Sequence, residues 1–144
     1  FLSFKLDLPV LNNDAIRTEV KEDLGKFDQI EYERRRDERL NDIIKSNKSF
    51  IYDASIDRIW GEKNSELLEA GYKYYIISLD LSLDFLKRLY AIKSYTESTE
   101  RFVNDHQKFL ESYSSYVNLH ITDGDFPNRL LIAYNGVKEW LGKV

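Results

Sequence analysis

Apolar residues recur every three or four positions along most of the chain, the spacing that puts side chains on one face of an α-helix. The first such stretch lies between a helix-start cluster at residues 12–14 and a stop signal at Gly25. Its apolar face comprises Ile16, Val20 and Leu24. The pattern therefore predicts one amphipathic helix between these signals.

The same spacing continues through the charged region 27–61, where the polar run at residues 46–49 interrupts it. We expect two helices there, separated by a short turn, and a loop at residues 61–64. From residue 64 or 65 to about residue 95 the apolar stripe is widest, which predicts a long central helix contacted from more than one side. Its main stripe is Leu68, Tyr72, Tyr75, Ile76, Leu79, Leu83, Leu86 and Tyr90.

The C-terminal part of the chain predicts two further helices. Residues 96–99 offer caps for a helix whose packed face runs from Phe102 to Val117. Asp123 and Gly124 predict a turn. Residues 125–127 open the last helix, with a proline in its first turn, and Gly142 closes it.

The N-terminus has a different pattern, because Phe4, Leu6 and Leu8 alternate with polar residues. This period of two predicts an extended arm over residues 1–11, lying across the helices or pairing with a partner chain. The predicted fold class is therefore all-α: a single compact helical bundle of five to six helices over residues 12–144, with a short extended N-terminal arm.

Composition narrows the function classes. The chain has 144 residues, 21 basic and 25 acidic side chains, a net charge of −4 and no cysteine. Residues 1–72 hold 12 basic and 16 acidic residues, and neither half is basic, so general nucleic-acid binding is not expected. There is no apolar segment of about 20 residues for a membrane span. No zinc, calcium or phosphate-loop motif occurs, so we expect no metal and no cofactor, and an intracellular, cytoplasmic protein.

Ten tyrosines are the most unusual feature of the composition. They fit either semi-buried bundle packing or a protein-binding face, because tyrosine is common at interfaces. We predict a non-enzymatic domain that binds another protein as an assembly subunit, adaptor or inhibitor, of which an immunity protein is one example. The candidate acidic face comprises Glu31, Glu33, Asp37 and Glu38, although Arg34–Arg36 and Arg39 would partly neutralise it.

A second hypothesis uses the sequence Arg101-Phe102-Val103-Asn104-Asp105-His106, an arginine followed five positions later by a histidine. This spacing resembles the signature of the HEPN family, small helical-bundle domains found in many ribonuclease toxins. The resemblance implies a homodimer in which Arg101 and His106 of two protomers meet and cleave RNA without a metal. His106 would transfer protons and Arg101 would stabilise the charged transition state. The alternative for His106 is a hydrogen-bonded core residue on the apolar stripe.

Overall fold

The computed structural model describes residues 1–54, 60–93 and 99–143. Within these ranges the chain forms seven α-helices and four short strands, which pair into two parallel two-stranded sheets. The predicted all-α bundle is therefore wrong, and the fold is mixed α/β. The chain divides into two compact units, Phe1–Ser55 and Ile56–Val144.

The elements of the first unit, in chain order, are α1 (Leu2–Leu6), β1 (Val10–Asn12), α2 (Asn13–Leu24), α3 (Gln29–Lys45) and β2 (Ile51–Asp53). Those of the second unit are α4 (Trp60–Glu69), β3 (Ile77–Asp80), α5 (Leu83–Ile92), α6 (Thr99–Tyr113), β4 (Leu119–Thr122) and α7 (Arg129–Leu141), with 3₁₀ turns at Ser114–Tyr116 and Phe126–Asn128.

In the first unit, α2 forms between the predicted signals. The side chain of Asn12 accepts a hydrogen bond from the Ala15 amide at 2.7 Å, and Gly25 ends the helix with a φ of 70°. Helices α2 and α3 pack as a pair joined by ion pairs from Arg35 to Asp23 and from Arg39 to Glu19. The buried apolar side chains of this unit are Leu11, Ile16, Val20, Tyr32 and Leu40.

Two predictions in the first unit are wrong. The N-terminal arm is not extended throughout, since Leu2–Leu6 is helical and the strand begins only at Val10. A second helix after residues 46–49 was also expected, but Ile51–Asp53 is a strand that pairs with β1 in parallel register, Val10 opposite Ile51. A short apolar run does not distinguish a helix from a strand by spacing alone. The expected helical positions Ile56 and Ile59 lie outside the described residues.

In the second unit, the predicted central helix over residues 64–95 is wrong. Helix α4 ends at Glu69, and Gly71 adopts a left-handed φ of 80°, which glycine tolerates. The chain then forms β3 before α5 begins. Here Ile77 and Leu79 alternate with Ser78 and Asp80, a period of two within the longer apolar stripe. The predicted loop at residues 61–64 is also wrong, because it lies inside α4.

The second strand of this unit was likewise predicted as helix. Helix α6 ends at Tyr113, and β4 pairs with β3 in parallel, Ile77 opposite Leu119 and Asp80 opposite Thr122. Successive side chains of a strand point to opposite faces. One face of the pair therefore carries polar side chains: Ser78, Asp80, His120 and Thr122.

The end of the chain matches its prediction more closely. The turn at residues 123–124 is confirmed, since the Asp125 amide donates to the Thr122 carbonyl at 3.1 Å. Pro127 lies in a 3₁₀ turn that leads into α7, and Gly142 follows the helix as its cap. No helix in the described ranges combines the length and the apolar character that crossing a bilayer requires.

Helix α7 requires a small residue at Gly136, where the side chain of Tyr75 packs against the helix. A Cβ added at Gly136 would overlap the Tyr75 hydroxyl, and Tyr75 packs on Trp140 with 5.8 Å between ring centroids. We expect Gly136→Ala to lower the free energy of unfolding by about 1–2 kcal/mol, because overpacking outweighs the better helix propensity of alanine.

Urea unfolding followed by tryptophan fluorescence measures this effect. In a Tyr75→Phe background the hydroxyl is gone, so Gly136→Ala should cost clearly less. An equal cost in both backgrounds would show that the Tyr75 hydroxyl does not restrict this position.

Candidate functional site: two histidines on one carboxylate

Both histidines of the chain bind the same carboxylate. His106 Nε2 lies 2.8 Å from Asp80 Oδ1, and His120 Nδ1 lies 2.5 Å from Asp80 Oδ2. Asp80 ends β3, His120 lies in β4, and His106 comes from α6. Three elements that are distant in sequence thus converge on one ionisable group, and we call these three side chains the His–Asp–His cluster.

The local structure explains this convergence. Because β3 and β4 are parallel and in register, Ser78 is paired with His120 and shares its face with Asp80. Helix α6 supplies His106, whose ring stacks with that of Phe109 at a centroid distance of 6.2 Å. Phe109 is buried, so it anchors the stretch of α6 that carries the histidine.

Asp80 is stabilised as an anion. Burial raises its pKa, but hydrogen bonds from Ser78, His120 and His106 outweigh that effect and leave the pKa below its usual value. The Ser78 hydroxyl donates to Oδ1 at 2.5 Å. Since an ionised carboxylate only accepts hydrogen bonds, the nitrogen that each histidine turns toward Asp80 carries a proton. The opposite nitrogens, Nδ1 of His106 and Nε2 of His120, are then the ones that exchange protons.

An open groove of about 450 Å³ adjoins the cluster at the carboxyl ends of β3 and β4. Ligands of open parallel sheets bind at this end of the strands. The walls are apolar at Leu81, Val103 and Leu110, with polar groups from Asp80, His106 and Asp123. None of the groove-lining residues is a lysine or arginine, so as far as the structure describes the chain the groove has no fixed positive charge.

Two further groove-lining residues, Ser82 and Asp123, are hydrogen-bonded to each other. The Asp123 carboxylate accepts from the Ser82 amide at 2.9 Å and from its hydroxyl at 2.5 Å, and these bonds lower the pKa of Asp123. The Ser82 hydroxyl also caps α5 by accepting from the Phe85 amide. The segments that follow β3 and β4 are thereby joined directly beyond the strand ends.

The structure places the two predicted ribonuclease residues differently. His106 belongs to the cluster and lines the groove. Arg101 precedes it on α6, is 68% exposed and lies 3.7 Å from Asp105, one turn along the helix. Arg101 does not line the groove, and His120 adjoins the groove only through its contact with Asp80. The ribonuclease hypothesis remains a prediction, but the all-helical context that accompanied it is absent.

The predicted acidic face lies on α3 and is largely neutralised by its own helix. Glu31 pairs with Arg34 and Arg35, whose hydrogen bonds lower its pKa to about 2. The remaining partners are Arg34 for Glu38, Arg36 for Asp37 and Gln29 for Glu33. These pairs reduce the negative charge available for a partner, and protein binding through this face remains a prediction.

Sequence reasoning singled out His106 but missed Asp80, Ser78 and His120. The available signal was the alternation in Ser78-Leu79-Asp80-Leu81-Ser82 and in Leu119-His120-Ile121-Thr122. No group of His, Cys, Asp or Glu side chains in the described part of the chain is arranged to hold a metal ion. The fold and the site together define an α/β protein with a histidine–carboxylate cluster beside a groove.

Comparison with known proteins adds no relative: no family model matches the chain, and neither the curated proteins nor the solved structures contain a match. A function can therefore be proposed only from the geometry of the site.

The depressed pKa of Asp80 predicts a loss of stability in acid. A carboxyl group whose pKa is lower in the folded state stabilises the fold above its unfolded pKa of about 3.9, and this contribution disappears as the pH falls through the folded pKa. We expect the urea midpoint of the second unit to fall between pH 5 and pH 3, and to fall less in Asp80→Asn. Fluorescence-detected urea unfolding at pH 5 and pH 3 measures the fall in midpoint for the wild type and for Asp80→Asn. An equal fall in both proteins would show that Asp80 does not contribute to the acid sensitivity.

Proposed function

We propose that the second unit is an enzyme domain in which His106, which lines the groove, and His120, which contacts Asp80 beside the groove, transfer protons to and from a small molecule bound there. The observation that carries this proposal is that both histidines bond to the carboxylate of Asp80 at the edge of the groove. An aspartate that fixes the tautomer and orientation of a histidine is the arrangement that supports general acid–base catalysis in hydrolases.

The groove suggests the substrate class. Its volume of about 450 Å³ falls in the range of small-molecule sites, and its apolar walls would hold a compact apolar group. Because its lining includes two carboxylates and no lysine or arginine, it favours an uncharged substrate over a phosphodiester. The reaction that fits is hydrolysis or group transfer at an ester-like carbonyl, with water or a hydroxyl as the nucleophile. The acid–base chemistry of the three side chains requires no cofactor.

Hydrolysis of a neutral ester by the full chain tests the proposal, with phenyl acetate as the probe. We expect His106→Gln and His120→Gln each to reduce kcat/KM about 100-fold, the low end of the usual contribution of general acid–base catalysis. Asp125→Asn is a matched control, because among the described residues the recorded bonds of the Asp125 carboxylate are to Thr122 and not to a histidine. A wild-type rate no greater than that of free imidazole at equal concentration would contradict the proposal.

An RNA cleavage assay on the full chain tests the ribonuclease hypothesis. We expect none, since no lysine or arginine lines the described groove to stabilise a phosphodiester transition state. Metal-independent cleavage that is abolished by Arg101→Ala would instead favour a site built from Arg101 and His106.

A further inference from the structure

Among the described residues, the hydroxyl-bearing side chains that line the groove have no hydrogen-bond donor left for a ligand. The amide and the hydroxyl of Ser82 both donate to the Asp123 carboxylate. The amide and the hydroxyl of Thr122 both donate to the Asp125 carboxylate. A ligand carbonyl held against these residues would lose its bonds to water and find no donor in exchange, which costs free energy. This part of the lining therefore disfavours ligands that carry several polar groups.

Two neighbouring side chains on α6 remain for the polar part of a ligand. His106 binds Asp80 through Nε2, so Nδ1 is the ring nitrogen that is left for a ligand in the groove. The Gln107 side-chain amide contacts Glu111 at 3.4 Å, which is long for a hydrogen bond and uses one of its two N–H groups. The other N–H group can donate to a carbonyl oxygen. Together, His106 and Gln107 can serve a single polar centre.

The face of α6 that lines the groove is otherwise apolar. Its groove-lining residues follow the i, i+3, i+4, i+7 spacing of one helix face: Val103, His106, Gln107 and Leu110. Val103 lies one turn before His106 and Leu110 one turn after it. The stretch between them covers about 10 Å of helix, since each residue advances about 1.5 Å. A carbonyl group beside His106 would therefore have an apolar contact on each side.

We infer that the groove selects a simple uncharged ester, with one carbonyl group beside His106 and an apolar group on each side, against Val103 and Leu110. Esters of sugars or peptides carry several further polar groups and fit this lining poorly. The carboxylic acid that hydrolysis releases is an anion at neutral pH, and the carboxylates of Asp80 and Asp123 disfavour its rebinding. The reaction in this inference rests on the proposed function, whereas the selectivity of binding does not.

Backbone amide shifts of the ¹⁵N-labelled full chain measure binding without any reaction. The probe is dibutyl ketone, which has one carbonyl, a butyl chain on each side and no bond that water can hydrolyse. We expect it to shift the amide signals of Val103, Gln107 and Leu110. At the same concentration, dihydroxyacetone, whose carbonyl lies between two hydroxyl-bearing carbons, and the pentanoate anion should shift these signals far less.

Two conservative variants locate this selectivity. Val103→Thr nearly keeps the volume of the side chain but places a hydroxyl in the groove, so it should weaken the binding of dibutyl ketone about fivefold. Phe102→Tyr also adds a hydroxyl on α6, but Phe102 does not line the groove and is 39% exposed, so this variant should bind the ketone as the wild type does. The same spectra show whether each variant is folded.

Phenyl esters of increasing acyl length test the same selectivity in the reaction. When each rate is divided by the rate in hydroxide alone, kcat/KM should rise about threefold per added methylene from acetate to butanoate to hexanoate. At least one of Val103→Thr and Leu110→Asn should flatten this rise, because one of these two side chains would contact the acyl group.

The outcomes separate the selectivity of the groove from its chemistry. Equal shifts from dibutyl ketone and dihydroxyacetone would overturn the inference, even if esters were hydrolysed. Hydrolysis at a rate that does not depend on acyl length would overturn it as well. Selective binding of the ketone without hydrolysis of any phenyl ester would instead refute the proposed function and leave the selectivity of the groove standing.

Discussion

Asp80→Ala is expected to lower the free energy of unfolding of the second unit by about 3 kcal/mol, because it removes the acceptor for three donors at once. Ser78, His106 and His120 all bond to this carboxylate, and Ser78 is buried. The two histidine bonds join β3 to α6 and to β4, so their loss would loosen the contacts between these elements as well as the site.

Tryptophan fluorescence in a urea titration isolates this effect, because both tryptophans, Trp60 and Trp140, lie in the second unit. Asp125→Ala provides the control: it removes a carboxylate from the turn that follows β4, but one whose recorded bonds are both to Thr122. If the two variants shift the midpoint equally, the cluster makes no special contribution to stability.

Leu40→Ala is the second large effect, and it concerns the first unit. Leu40 lies in α3 and is only 1% exposed, alongside the buried side chains of Ile16 and Val20 in α2. Truncating a fully buried leucine removes its transfer free energy and leaves a cavity, which together cost about 3 kcal/mol. We expect the amides of α2 and α3 to lose most of their protection against hydrogen exchange.

Mass spectrometry of exchanged peptides from these two helices measures that protection. Leu24→Ala is the matched control, because Leu24 belongs to α2 but is 48% exposed, and its peptides should exchange almost as in the wild type. Equal loss of protection in both variants would contradict the assignment of Leu40 to the core of this unit.

The helix signals that could be predicted from the sequence are local ones. Asn12 and Gly25 mark the two ends of α2 because a cap and a left-handed glycine act within one turn of the helix. The turn at Asp123 and Gly124 and the proline-led start before α7 were predictable for the same reason. Each depends on residues close together in the chain.

The strands were not predicted because what stabilises them, pairing with another strand, is not local in the sequence. Each strand is only three or four residues long, and its pairing partner lies about 40 positions away. In residues 76–90 the apolar positions also fit a helical stripe, so the spacing predicted one long helix. In the structure the chain leaves the helix at Gly71, and β3 pairs with β4 instead.

The candidate site was only partly predictable for the same reason. His106 attracted attention as a polar residue on an apolar stripe, but its partners are Asp80 and His120, 26 and 14 positions away in sequence. Only the register that pairs Ser78 with His120 and Asp80 with Thr122 brings them together. Arg101 was selected by its sequence distance from His106, whereas the residues that contact His106 in space are brought there by the sheet.

The central claim is that Asp80 holds His106 and His120 as a working acid and base, and the pH profile of ester hydrolysis tests it most directly. Phenyl acetate has a poorer leaving group than 4-nitrophenyl acetate, so only the former needs proton donation. We expect the pH dependence of kcat/KM for phenyl acetate to be bell-shaped, because the reaction needs one neutral and one protonated group. His106→Gln and His120→Gln should each reduce phenyl acetate hydrolysis, and the variant that lacks the proton donor should reduce it far more than hydrolysis of the nitrophenyl ester. A profile that only rises with pH, with neither histidine variant distinguishing the two esters, would contradict the account.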